Sequence, residues 1–141
     1  MSWQASDNER RREGMVRFGR VTEVDPAKAR ARVTFGGESK SAWLPWLAQG
    51  AGTVSAWSPP AVGEQVVVMA QSGDTAQAVI VGSVFSGQNG APSDDGGMYR
   101  IKLGMSSITM TDSQITLHSN GSTLTLDASG ASLNGARIDL N

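Results

Sequence analysis

Residues 99–110 read Tyr-Arg-Ile-Lys-Leu-Gly-Met-Ser-Ser-Ile-Thr-Met, and the same cadence runs on through Ile-Thr-Leu (115–117), Leu-Thr-Leu (124–126), Ala-Ser-Leu (131–133) and Ile-Asp-Leu (138–140). Large apolar residues come in pairs two apart: Ile101/Leu103, Ile108/Met110, Ile115/Leu117, Leu124/Leu126, Ala131/Leu133 and Ile138/Leu140. Each pair starts seven residues after the previous one, apart from a step of nine between Ile115 and Leu124, where Ser119-Asn120-Gly121 reads as a longer turn. An i, i+2 pair lies on one face of a strand, and a seven-residue step leaves about five residues of strand and two of turn. Turn residues stand where that scheme needs them: Gly104-Met105, Asp112-Ser113, Asn120-Gly121, Ser129-Gly130 and Asn134-Gly135. Asn-Gly is the strongest short hairpin signal among them.

Seven residues at about 3.3 Å each are too few to circle a solenoid coil and return above themselves, so the strip must zigzag. A lone zigzag exposes a stripe of Ile, Leu and Met beside two unpaired edges. Its apolar burial does not offset the entropy of ordering so many residues. Three copies turning their stripes toward one axis remove both problems, giving a trimer core of Ile101, Leu103, Ile108, Met110, Ile115, Leu117, Leu124, Leu126, Leu133, Ile138 and Leu140. The alternative is a flat antiparallel meander packed on the preceding domain. After Tyr99 there is no aromatic residue and no proline, and the remaining positions are mostly Ser, Thr, Asn, Asp and Gly, a composition suited to a slim solvated rod.

The whole chain of 141 residues allows one or two small domains, and its net charge of −1 points to neither nucleic acid nor membrane. Charge is unevenly spread. Nine of the twelve basic residues lie in residues 1–40, interleaved with acids, whereas residues 41–98 contain no Lys or Arg and four acids, Glu64, Asp74, Asp94 and Asp95. Without cysteine there is neither disulfide nor thiol chemistry. No apolar run reaches membrane-spanning length, and the polar, Arg-rich start is unlike a signal peptide, so export by the ordinary secretory route is not expected.

Four segments follow. Residues 1–14 form an arm, with a polar helix over 6–13 capped by Ser6 or Asp7 and stopped by Gly14. Residues 15–86 form a barrel of five strands: Met15–Val24, Ala29–Phe35, Ser41–Leu47 with Pro45 marking an edge or bulge, Glu64–Ala70 and Ala76–Phe85. Residues 87–98, rich in Gly, Ser, Asn and Asp, are a linker, and 99–141 are the strand stack.

This order of parts resembles the baseplate assembly protein V, or central spike, family of contractile phage tails and related bacteriocins. The matching residues are Gly19-Arg20-Val21, Val24-Asp25, Arg30-Ala31-Arg32-Val33, Trp43-Leu44-Pro45-Trp46, Val62-Gly63-Glu64-Gln65-Val66, and Gly82 with Phe85. The resemblance implies an all-β chain: an N-terminal five-stranded OB-fold barrel followed by an intertwined triple-stranded β-helix in a homotrimer. In that family the C-terminus often carries His-x-His, from which three chains ligate one iron. Here the single histidine, His118, follows Leu117 and alternates outward, and Asn141 comes straight after the last pair, so no metal or other cofactor is expected. The needle is blunt as it stands, its apex missing or supplied by a separate tip protein.

Enzymatic readings lack their parts. One histidine, no cysteine and no Gly-x-Ser-x-Gly exclude a triad or thiol nucleophile. Gly36-Gly37-Glu38-Ser39-Lys40-Ser41 lacks the glycine before the lysine of a phosphate loop and sits after a hairpin. Glu64 and Asp74 as a glycosidase pair need a far larger domain. Trp43, Trp46 and Trp57 occupy the segment without Lys or Arg, which argues against nucleic acid; Trp43 and Trp46, three apart, face opposite ways, one to the core and one to a rim or interface. The expectation is a non-enzymatic central spike in the virion tail baseplate or a bacteriocin particle, assembled in the host cytoplasm. Its partners are two further copies, the baseplate hub, the tail tube and, transiently, the host outer membrane. The competing readings are an OB-fold nucleic-acid or glycan module oligomerised by its tail, and a secretion-system spike.

Overall fold

The alternating stretch after Gly14 forms β1 (Val16–Asp25) in the computed structural model, which describes residues 2–141. A 3-10 turn at Pro26–Lys28, with Ala29 left-handed at φ 54°, reverses the chain into β2 (Arg30–Thr34). β3 (Gln65–Ala70) and β4 (Ala78–Val84) follow, and the four strands form one antiparallel sheet in the order β2-β1-β3-β4.

The fifth expected strand, 41–47, is instead a pair of bridges. Leu44 exchanges both backbone bonds with Ala31 (2.8 and 2.9 Å), and Ile80 donates to the Pro45 carbonyl (3.0 Å) while accepting from the Leu47 N–H (2.8 Å). Pro45 has no N–H to continue a ladder, so pairing stops on either side of it. These few bonds nevertheless join the two free edges of the sheet, β2 and β4, the second contact being parallel. Closure through a short central segment gives the arrangement of an OB-fold barrel.

Inside lie Val21, Ala31, Val33, Leu44, Val66, Val68, Ala70, Ala78 and Ile80, with Val24, Phe35 and Trp46 packed against them. β1 does not keep one parity. A register shift between Val21 and Glu23 moves the inward positions from Gly19 and Val21 to Val24, as a bulge does by inserting one residue.

The N-terminal helix, α1 (Trp3–Glu13), begins three residues earlier than the sequence reading placed it. Its cap is Ser2, whose hydroxyl accepts from the Ala5 N–H at 3.3 Å, and not Ser6 or Asp7. Asp7 instead binds Arg10 and Arg11 at 2.6 and 3.1 Å along the helix face. Gly14 ends the helix as expected, and no α1 residue is buried.

After β4 the chain stays on the barrel for several residues. Gln88 accepts from the Arg20 guanidinium, and the Asn89 amide donates to the Gly63 carbonyl at 3.2 Å. The first compact unit runs to Gly90 and the second from Ala91 to Asn141.

The second unit is a five-stranded antiparallel meander: β5 (Tyr99–Leu103), β6 (Ser106–Met110), β7 (Ile115–Ser119), β8 (Ser122–Asp127) and β9 (Gly130–Asn134). Asn120 and Gly121 have φ 50° and 93°, the two positive values of a tight two-residue hairpin. The nine-residue step is therefore not a longer turn. Ser119 pairs with Ser122, so the two extra residues extend the strands. Ile138 and Leu140 lie outside any strand, since Gly135 remains beside Ser122 (a Cβ on it would stand 3.0 Å from the Ser122 Oγ) and the chain does not reverse against β9. Five strands form where six apolar pairs occur.

Candidate assembly surfaces

Strand register sorts the meander side chains onto two faces. Ile101, Ile108, Leu117, Leu124 and Leu133 are successive cross-strand partners, forming one apolar row across all five strands. Beside it runs a second row, Tyr99, Met110, Ile115, Leu126 and Ala131. On the other flank Leu103 heads a row completed by Ser106, Ser119 and Ser122, with the Ser106 and Ser119 hydroxyls 2.8 Å apart. The face is open to solvent: Leu103 is 83% exposed and Leu117 42%. Nine of the eleven predicted core residues, all but Ile138 and Leu140, share it.

The opposite face is hydroxylic. Thr109, Thr116, Thr125 and Ser132 form one row after Arg100, and Ser107, His118, Thr123 and Asn134 form another after Lys102. β-Branched threonines suit the pleat while leaving a hydroxyl for water. His118 stands half-buried in this row, on the face away from Leu117. Among the described residues no three His, Asp or Glu side chains group as metal ligands. At the β8–β9 turn Asp127 accepts from the Ser129 hydroxyl (2.6 Å) and N–H (2.8 Å), bonds that hold its carboxyl below the usual range.

The barrel presents surfaces of its own. Cross-strand partners Val16/Met69 and Phe18/Val67 lie on the outer side of the sheet, with Val16 55% and Phe18 62% exposed. The Arg17 guanidinium lies 4.0 Å from the Phe35 ring centre, and that of Arg32 lies 5.5 Å from Trp43. Trp46 reaches the core while Trp43 stays on the rim, the division their spacing required. Trp57 tilts against Trp46 at 57° with centroids 5.6 Å apart. Glu23 sits between Lys40 (2.7 Å) and Arg32 (3.6 Å); the Lys40 bond, then both charges, lowers its pKa.

The residues weighed for enzymatic chemistry are not brought together. Glu64 accepts from the Ser83 hydroxyl just before β3, and Asp74 accepts from the Ala76 N–H beyond its other end. Roughly 20 Å of strand separates them. The 36–41 stretch is a turn tied to β2, with the Thr34 hydroxyl donating to the Gly36 carbonyl and the Ser41 hydroxyl accepting from the Val33 N–H.

Residues 17–85, which span the closed barrel, match the model of the type VI secretion system/phage-baseplate injector OB domain. Over these residues the chain carries the OB domain of the baseplate V, or central spike, family. The spike protein of Escherichia phage P2 is 39% identical over 79 residues, which is 56% of this chain and 37% of that protein. The chain thus spans little more than a third of the length of this relative. The domain is of a kind found in phage baseplates and type VI secretion injectors.

In this injector barrel, sequence reading missed two features. One is the outward Val16/Phe18 face: both apolar residues sit at even positions while the core takes Gly19 and Val21, a conflict of parity legible in the strand itself. The other is the clasp of Gln88 and Asn89 on Arg20 and Gly63, for which composition gave no signal. A glutamine in a Gly-rich stretch reads as linker whether or not it has a partner.

Proposed function

We propose that this protein is the central spike of a contractile tail, a homotrimer whose meanders close around one axis into an intertwined β-helix. The observation that carries the reading is the bare apolar face between two open sheet edges, on a chain that also bears an injector OB domain. A sheet with one apolar face gains stability only when that face is covered. Three copies of one repeat cover it symmetrically and leave the hydroxyl rows to water.

On this reading the barrels attach to the baseplate hub and tail tube, and the rod leads penetration of the host outer membrane when the sheath contracts. The shared core makes the rod stiff, because no chain can open locally without exposing the other two. Contraction supplies the work, so the spike uses neither an active site nor a cofactor. Sedimentation equilibrium tests the foundation: the full chain is expected at three times 14.8 kDa at micromolar concentration, and a stable monomer overturns the proposal.

A further inference from the structure

From Ser41 to Gly63 the chain runs for 23 residues without one charged side chain. After Leu47 it leaves the barrel and reaches β3 without a regular strand of its own, although connections longer than about 15 residues are uncommon in small domains and usually functional. This loop is folded on itself. A bridge joins Ala51 to Ser55, Gly52 donates to the Val54 carbonyl (3.2 Å) and Ala56 to that of Gly50 (2.9 Å), which holds Val54 at the tip. Yet Leu47, Val54, Trp57 and Val62 are 59%, 82%, 62% and 64% exposed. Ordered backbone presenting large apolar side chains to solvent is the profile of an interface.

We infer that this loop is where the barrels of neighbouring copies meet one another. The inference rests on the homotrimer proposed above. Close to the axis of a homotrimer the three copies of one residue converge, so a charge placed there meets its like. The uncharged 41–63 stretch tolerates that geometry. Other exposed faces of the barrel unit carry charge: α1 carries Arg10, Arg11 and Arg12 with Asp7 between them and the cap, the β1–β2 turn carries Lys28 and Arg30, and Arg20 follows Val16 and Phe18 on their outward face. Charged surfaces of that kind suit a partner of complementary charge, whereas the uncharged loop suits a second copy.

The chain contains no cysteine, which gives a clean background for cross-linking. Val54→Cys is placed in the full chain, with Lys28→Cys on the basic turn as the comparison site; both positions are exposed, so neither variant disturbs the core. Each is treated with a short bismaleimide and resolved by denaturing electrophoresis, while sedimentation gives the oligomeric state. Neighbouring thiols within one trimer see an effective concentration near millimolar, about a thousandfold above that of micromolar free chains. The V54C trimer is expected to give covalent dimers about a thousandfold faster than K28C, whose thiols lie beyond the cross-linker's reach within a trimer and meet only between trimers. A trimer in which V54C cross-links no faster than K28C overturns the inference and assigns the loop to another partner, while leaving the spike reading intact. A monomeric chain overturns the spike reading itself, and this inference with it.

Discussion

Leu117 lies at the centre of the apolar row, with Ile108 on one side and Leu124 on the other, and it is the residue whose replacement most sharply separates a trimer core from an idle sheet face. It keeps 42% of its surface exposed in the single chain. Burying a whole leucine side chain contributes about 2 kcal/mol, so covering the remaining two-fifths contributes about 1 kcal/mol per chain and about 3 kcal/mol per trimer. Leu117→Ala should therefore weaken association by about two powers of ten. Leu117→Asp adds charge to that loss. Three carboxylates roughly 6 Å apart repel by about 3 kcal/mol per pair at an effective dielectric constant near 20, which leaves no stable trimer at neutral pH. Crowded like charges raise the carboxyl pKa, so L117D should recover part of its association as the pH falls and the carboxyls take up protons. Thr116→Asp, one residue away on the hydroxyl face, should leave association almost unchanged. Sedimentation equilibrium over a concentration series at two pH values reads all four chains. The reasoning fails if L117D associates within about tenfold of the unmodified chain, or if T116D dissociates as fully.

The clasp beneath the linker should be worth measuring by itself. Gly63 has φ 92°, and a Cβ there would stand 2.6 Å from the Gln88 amide nitrogen; Gly63→Ala should therefore cost about 1 kcal/mol or more in backbone strain and lower the barrel melting temperature by about 5 °C. Adding Gln88→Ala should restore only the part due to the clash, and an unchanged melting temperature for the single variant refutes the account. Glu23, lowered by its bond to Lys40 and then by the two neighbouring charges, stabilises the fold fully above the ordinary carboxylate pKa and loses that contribution as the pH drops through its lowered value. Lys40→Met should move the Glu23 titration midpoint upward in an NMR pH series, and a midpoint that stays put shows that Lys40 is not the cause.

Much of the meander was legible because its signal is redundant. Every strand carries an i, i+2 apolar pair, every turn carries Gly or Asp, and one parity serves the whole strand, so register and face follow together. Ile138 and Leu140 carry the same pattern without the strand, because pairing needs a reversal that Gly135 does not make. The barrel was harder for a physical reason. Its closure rests on four backbone bonds around Pro45, below the threshold of a strand, and β1 changes parity at a bulge that no residue type announces. α1 was misplaced at its start because Ser2, Ser6 and Asp7 are all competent caps, and the choice among them lies in geometry beyond residue type. The assembly surfaces divide the same way: the meander face follows from periodicity, whereas the exposure of Val54 and Trp57, which lie in no regular strand, depends on which side of a closed barrel each residue falls.

The two faces of the meander place opposite demands on its surroundings, and this ties folding to assembly. Hydroxyl rows can remain in water indefinitely, but on the spike reading the row from Ile101 to Leu133 gains its full burial from other copies. The barrel encloses its own core of nine buried residues and carries no such debt. On the spike reading, then, the barrel folds as a single chain and holds three strips at high effective concentration once its loops meet, after which the strips close. Order of events follows from where each core is complete. A chain whose barrel contact is lost should still form trimers, only more slowly, because the strips must then find one another from free solution; a chain whose apolar row is broken should stop with barrels folded and strips open.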